Sequence, residues 1–235
     1  MTHNLEPKLY FGDLFGKLKP EEKVEIIKPK VKRNETLDLI IEEYKEGLEN
    51  YGLYNEKKLK IEIPEGEYWR YYIAKSSAPL EIPSERIIEF SLLLGEYENK
   101  KYFEDFTGFY LSALINKSNG KDFKIITNYL TKTIHEIGYE NTKNIVVTGN
   151  AGWGVGNRME DGEITVNGNA GWWVGWNMKD GKITINGNAG YGVGNRMEDG
   201  EIHLNGDYES LGGYISGGNI YHKGKLIVRD GRRLI

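Results

Sequence analysis

The chain has 235 residues, 31 basic and 35 acidic, for a formal net charge of -4. That near balance argues against a dedicated nucleic-acid binder, and the absence of cysteine excludes disulfides, thiolate metal sites and a cysteine nucleophile. No apolar run approaches the roughly 18 residues of a membrane span, and the start MTHNLEPKLY lacks a secretory leader, so a cytoplasmic protein that stays off membranes is expected.

In chain order, EKVEIIKPKVKR (22–33) gathers Lys28, Lys30, Lys32 and Arg33 and reads as a solvated edge or an anion-facing surface. Leu37, Ile40, Ile41, Tyr44, Leu48 and Tyr51 follow a 3.6-residue period, which predicts a helix over 34–51 with Asn34 as its N-cap. LKIEIPEGEYWRYYIA (59–74) alternates and turns at Pro64 to Gly66, the pattern of a hairpin whose aromatics face a core. Pro79 and Pro83 keep 78–83 extended. Segment 84–97 is apolar nearly all round, as a buried helix is. Segment 102–116 places Phe103, Phe106, Tyr110, Ala113 and Leu114 on one helical face. Segment 121–137 reads as a further helix through Phe123, Ile126, Leu130, Ile134 and Ile137, closed by Gly138 at C′. His135 then sits alone on that helix as a surface residue.

Glycine marks a change of regime. Of 30 glycines, 9 fall in 1–148 and 21 in 149–235, which sets a boundary near 141–143: a mainly helical domain over 1–143, then a repetitive one over 144–235. There GNAGWGVGNRMEDGEITVN (149–167), GNAGWWVGWNMKDGKITIN (168–186) and GNAGYGVGNRMEDGEIHLN (187–205) succeed one another every 19 residues. NIVVT (144–148) matches the end of a copy, and GDYESLGGYISGGNIYHK (206–223) is a degenerate copy one residue shorter. Such a period means stacked coils. Ile164, Val166, Ala170, Val174 and Met178 are the inward candidates of one coil. Asn-Gly and Asp-Gly are also hairpin signals, so an antiparallel meander is the alternative. Charge favours the parallel stack: Glu160, Lys179 and Glu198 are equivalent, as are Glu163, Lys182 and Glu201, and the middle copy is inverted at both. Inversion matters where equivalent residues lie about 4.8 Å apart, as in parallel neighbours.

The pattern G-N-A-G-x-x-V-G-x-x-M-x-x-G-x-I-x-V-x-G over about 144–224 resembles the GXGXG domain found at the C-terminus of the glutamate synthase large subunit and in one of the subunits of formylmethanofuran dehydrogenase. The resemblance implies a right-handed parallel β-helix that packs against catalytic domains or subunits without catalysing anything, so it transfers no catalytic residue. The expected fold is therefore α+β: a mostly helical N-terminal domain with one hairpin, then a short right-handed parallel β-helix of 19-residue coils.

Trp153, Trp172 and Tyr191 are equivalent and should form an aromatic ladder, with Trp173 and Trp176 beside it on the middle coil. Such a surface offers a flat platform for a glycan or other planar ligand, a partner surface, or simply packing. Asp161, Asp180 and Asp199 each precede glycine, which is turn chemistry before it is cation binding. Asn150, Asn169 and Asn188, with Asn167, Asn186 and Asn205, can ladder as stacked amides. His203 and His222 with Asp207 and Glu209 suggest a metal site, but the short fourth copy aligns His222 with inward Leu204. No catalytic constellation, metal site or cofactor motif stands out. These residues point to a non-enzymatic scaffold or protein-interaction module, a subunit of a larger complex or a self-associating one. The alternatives are a ligand-binding module using the ladder and an enzyme with an interdomain site. The N-terminal domain is expected to cover one end of the stack and KLIVRDGRRLI (225–235) to cover the other or pair with a second subunit.

Overall fold

The computed structural model describes residues 31–56 and 82–234. The expected hairpin over 59–74, its aromatic run and most of the basic stretch 22–33 lie outside the described residues.

Among the described residues, three helices precede the sheet. α1 spans Glu35–Asn55 and starts as the sequence predicts, with the Asn34 side chain accepting from the Leu37 amide at 2.9 Å. α2 spans Ser84–Leu93 and tightens into a 3₁₀ turn over Leu94–Glu96. It buries Ile87, Phe90 and Ser91 on one side rather than all round. α3 spans Phe103–Lys117 and is buried along most of its length. Tyr44 of α1 binds the three together: its ring meets Phe90 at 5.1 Å and Tyr110 at 5.4 Å, and its hydroxyl shares a 2.7 Å hydrogen bond with Thr107.

Eight strands follow in one sheet, ordered as they occur: β1 Asp122–Ile126, β2 Asn144–Thr148, β3 Glu163–Val166, β4 Lys182–Ile185, β5 Glu201–Leu204, β6 Asn219–His222, β7 Lys225–Arg229 and β8 Arg232–Arg233. β1 to β6 are parallel, and the register repeats the sequence: Ile145, Ile164, Ile183, Ile202 and Ile220 are successive partners. The chain is therefore α+β, its helices followed by a parallel β-solenoid with coils of about 19 residues, and the meander is excluded. Ala151, Ala170 and Ala189, Val155, Val174 and Val193, and Met159, Met178 and Met197 form further buried columns, so every inward candidate of the repeat is inward. The column Glu163–Lys182–Glu201 lies in register, with Lys182 3.3 Å from Glu163 and Lys179 2.6 Å from Glu160.

Glycine is needed where coils touch. Gly175 has φ 68, and a Cβ there would lie 2.6 Å from Cδ1 of Ile202 on the next coil. Outside the core, Asn186 donates to Asn167 and Asn205 to Asn186, each at 2.7 Å. The Asn150 and Asn169 side chains accept the backbone N–H of the residue one coil on. Asp161, Asp180 and Asp199 each accept from the amide of the following glycine, the turn role expected of them.

The predicted helix over 121–137 is not there. Residues 122–126 form β1, partnered with β2, and Phe123 and Ile125 point inward. Two influences override the 3.6-residue pattern: Phe123-Lys124-Ile125 also alternates, and a parallel partner satisfies the backbone of both strands. The chain then runs through 134–141 as an additional, degenerate coil. Amide-to-carbonyl bonds join it to the first full repeat: Glu136 to Trp153, Gly156 to Ile137 and Gly152 to Ile134. His135-Glu-Ile-Gly-Tyr-Glu-Asn141 is thereby placed against Trp153-Gly-Val-Gly-Asn-Arg-Met159. Gly138 does have φ 77, but as the counterpart of Gly156 rather than as a helix terminus.

Both ends of the stack are covered. α2 lies against β1, and the Ile126 amide donates to the Ser91 hydroxyl. At the other end β7 turns back antiparallel on β6, and β8 on β7. Helical and solenoid residues share one buried cluster. No described helix is long and apolar enough to cross a membrane.

Candidate functional site

The five aromatic residues singled out by the repeat come together on one face. The ring centroids of Trp172 and Tyr191 are 6.0 Å apart, those of Trp172 and Trp173 6.2 Å, Trp153 and Trp173 6.0 Å, and Trp173 and Trp176 5.4 Å. They do not form a flat platform. Interplanar angles of 76°, 72° and 81° make the first three contacts edge-to-face, the arrangement that the ring quadrupole favours. The result is a corrugated ridge with Trp173 at its hub. Trp172 is 52% exposed, Tyr191 54% and Trp173 37%, whereas Trp153 and Trp176 are half-buried.

Backbone geometry explains the hub. Gly154, Trp173 and Gly192 are equivalent, and all three are left-handed, with φ of 77, 61 and 76. Glycine adopts that conformation freely, and a bulky residue does so at a cost of roughly 1–2 kcal/mol. The ring then lies over the next coil, where a Cβ on Gly192 would come within 2.6 Å of its Cδ1. Trp173 therefore requires a glycine on the following coil.

The ladder has one more ring than the repeat suggests. His135, the counterpart of Trp153 on the degenerate coil, lies 5.0 Å from it, and its Nδ1 is 2.8 Å from the Asp105 carboxylate on α3. It is a half-buried docking residue rather than a lone surface histidine on a helix. At the other end of the ladder the neighbouring Glu209 carboxylate raises the pKa of Tyr191.

Beneath His135 is a residue the sequence reading misses. Glu136 occupies the left-handed column of Gly154 and Trp173, with φ 57, and is 2% exposed. Its carboxylate accepts from Asn157 Nδ2 at 3.0 Å, and its backbone carbonyl accepts from the Ser112 hydroxyl. Burial pushes its pKa up from an ordinary 4.5 to about 8; the Asn157 bond opposes this, Asp105 adds to it, and Arg158 opposes it. α3 reaches the same segment through Gly108, where a Cβ would sit 1.5 Å from the His135 carbonyl oxygen. The signal that would find Glu136 is the alignment of Ile137-Gly138 with Val155-Gly156, which makes 134–141 a coil.

The remaining candidates resolve into structure. His222 is the register partner of Leu204, as the short fourth copy requires, and His203 stacks on Tyr221 at 4.5 Å with its Nε2 2.8 Å from Glu201. Among the described residues no three His, Asp or Glu side chains converge as a metal site. A groove of about 720 Å³, lined by Leu48, Gly52, Leu53, Tyr97 and Tyr102 among others, belongs to the helical part and includes none of the aromatic ridge. Comparison with protein-family models, with curated proteins and with solved structures finds no match.

Proposed function

We propose that the protein is a non-enzymatic scaffold or interaction module, a subunit of a larger assembly, and that the aromatic ridge is its contact face. The observation that carries this reading is Trp173. Two sister coils use glycine at its position, so the stack does not need a side chain there. The middle coil nonetheless bears a strained tryptophan, and Trp172, Trp173 and Tyr191 are left open to solvent together. The likeness of 144–224 to GXGXG domains, which serve larger enzymes as scaffolds, points the same way.

The test compares wild type with Trp172→Ala by size-exclusion chromatography and by co-purification from the source cells. The ring is exposed, so the variant should melt close to wild type and lose the assembly that wild type forms. A wild type that stays a partnerless monomer and shows measurable turnover would overturn the reading. Glycan binding that disappears with Trp172 would instead favour a ligand-binding module. The edge-to-face rings weaken that alternative, because they offer no flat shelf for a sugar ring.

The enzyme reading has one observation in its favour, a buried acid of raised pKa beside a His–Asp pair. Against it, the Glu136 carboxyl is covered by backbone, its carbon lying 2.7 Å from the place a Cβ would take on Gly154.

A further inference from the structure

If the ridge is a contact face, what it contacts is written in its chemistry. Among the described residues, no Lys or Arg stands over any of its five rings; cations instead cover Tyr97, Tyr102 and Tyr139. The open faces of Trp172 and Tyr191 are electron-rich, and Glu209 adds a carboxylate at the Tyr191 end. A ridge of this kind is suited to a partner that brings planar cations.

The C-terminal hairpin, one coil beyond Tyr191, carries such cations. Arg229 and Arg232 are register partners across the closing hairpin, so two like charges face each other directly, an arrangement that costs stability. Both are exposed, and neither has a carboxylate within 4 Å among the described residues. The hairpin that presents them is held firmly: Arg233 donates to the Gly212 carbonyl at 2.6 Å, Gly231 to Gly218 at 3.1 Å and Leu234 to Ile227 at 2.8 Å. A firmly held pair of guanidinium groups with no carboxylate beside them among the described residues, on a chain of net charge -4, is an electrostatic complement to the rest of its own surface.

We propose that the aromatic ridge of one copy of this chain receives the Arg229/Arg232 hairpin of a second copy, with the guanidinium groups stacked on Trp172 and Tyr191 and paired with Glu209. Guanidinium is planar, weakly hydrated and always charged, so it can stack on a ring and pair with a carboxylate at once. If the two copies are related by a two-fold axis, each hairpin covers the other copy's ridge, both contacts are made twice and the assembly closes as a dimer. This inference rests on the reading of the ridge as a contact face, and it can fail while that reading survives.

Sedimentation of the full chain over a range of micromolar concentrations, at low and high salt, tests it. Wild type should dimerise, less so in high salt. Arg229→Glu/Arg232→Glu and Trp172→Ala/Tyr191→Ala should each be monomeric, and mixing the two should restore association, because the intact ridge of the first meets the intact hairpin of the second. A wild type that is monomeric throughout overturns the second-copy occupant and leaves the ridge free for a different protein. Self-association that survives either pair of substitutions, or mixed variants that stay apart, also overturns it. The arginine variant changes only exposed side chains, so it decides the matter even if the aromatic variant folds poorly.

Discussion

Glu136 is a carboxyl group that folding strips of water, and its behaviour with pH follows from that. In the folded chain its pKa is about 8; in the unfolded chain it returns to an ordinary 4.5. Between these values the folded state keeps a proton that the unfolded state gives up, so stability is fully present below pH 4.5 and is lost as pH rises through about 8. The slope from this one group is about 1.4 kcal/mol per pH unit within the window. The groups that face it are Asp105 on α3 and Arg158 on the first full coil, with His135 beside it in the chain. Glu136→Gln keeps the shape and cannot ionise. Thermal unfolding from pH 5 to 9 should show wild type losing stability relative to the variant as pH rises, with the variant the more stable above pH 8. Parallel profiles for the two proteins would mean that Glu136 ionises freely in the fold.

At the scale of the element, the legible and illegible parts of the sequence separate for a physical reason. The coils from 149 to 205 are readable because each inward position repeats the same residue class, so Ile, Val, Ala, Val and Met recur in columns. α1 is readable because Asn34 and a clean apolar stripe mark it. The first coil is not: Asp122 pairs with Asn144, a spacing of 22 rather than 19, and Asn141 stands where the repeats have Met159, so the period breaks as it begins. A short amphipathic strand and a helix then look alike in the sequence, and only pairing decides between them. The aromatic residues of the site are legible, but their angles are not, because these depend on a left-handed backbone at Trp173. The charged column offers a test at this scale. Lys182→Glu replaces an ion pair with three stacked carboxylates, the introduced one lying between Glu163 and Glu201. It should cost about 0.5–1 kcal/mol, a fall in Tm of about 2–4 °C per kcal/mol, and most of the loss should vanish in high salt. An unchanged Tm at low salt would show that the column is too well solvated to matter.

For the whole molecule, the covering of both ends matters as much as the stacking. A parallel solenoid exposes an open sheet edge at each end; α2 packs against β1, and the β7–β8 hairpin covers β6 and leaves only the two-residue strand β8 as the edge. The sides of the coils are thus the surface left for contact, and the ridge exists only because equivalent residues of successive coils meet in columns. The absence of cysteine allows a direct test of those columns. Thr165, Thr184 and His203 are successive register partners on β3, β4 and β5. Parallel neighbours lie about 4.8 Å apart and second neighbours about 9.6 Å, so only the former are within reach of a disulfide. Under mild oxidation, cysteines at 165 and 184 should cross-link almost completely, and cysteines at 165 and 203 should not. Failure of the 165–184 pair to link, or equal linking of both pairs, would contradict the stack and, with it, the contact face it builds.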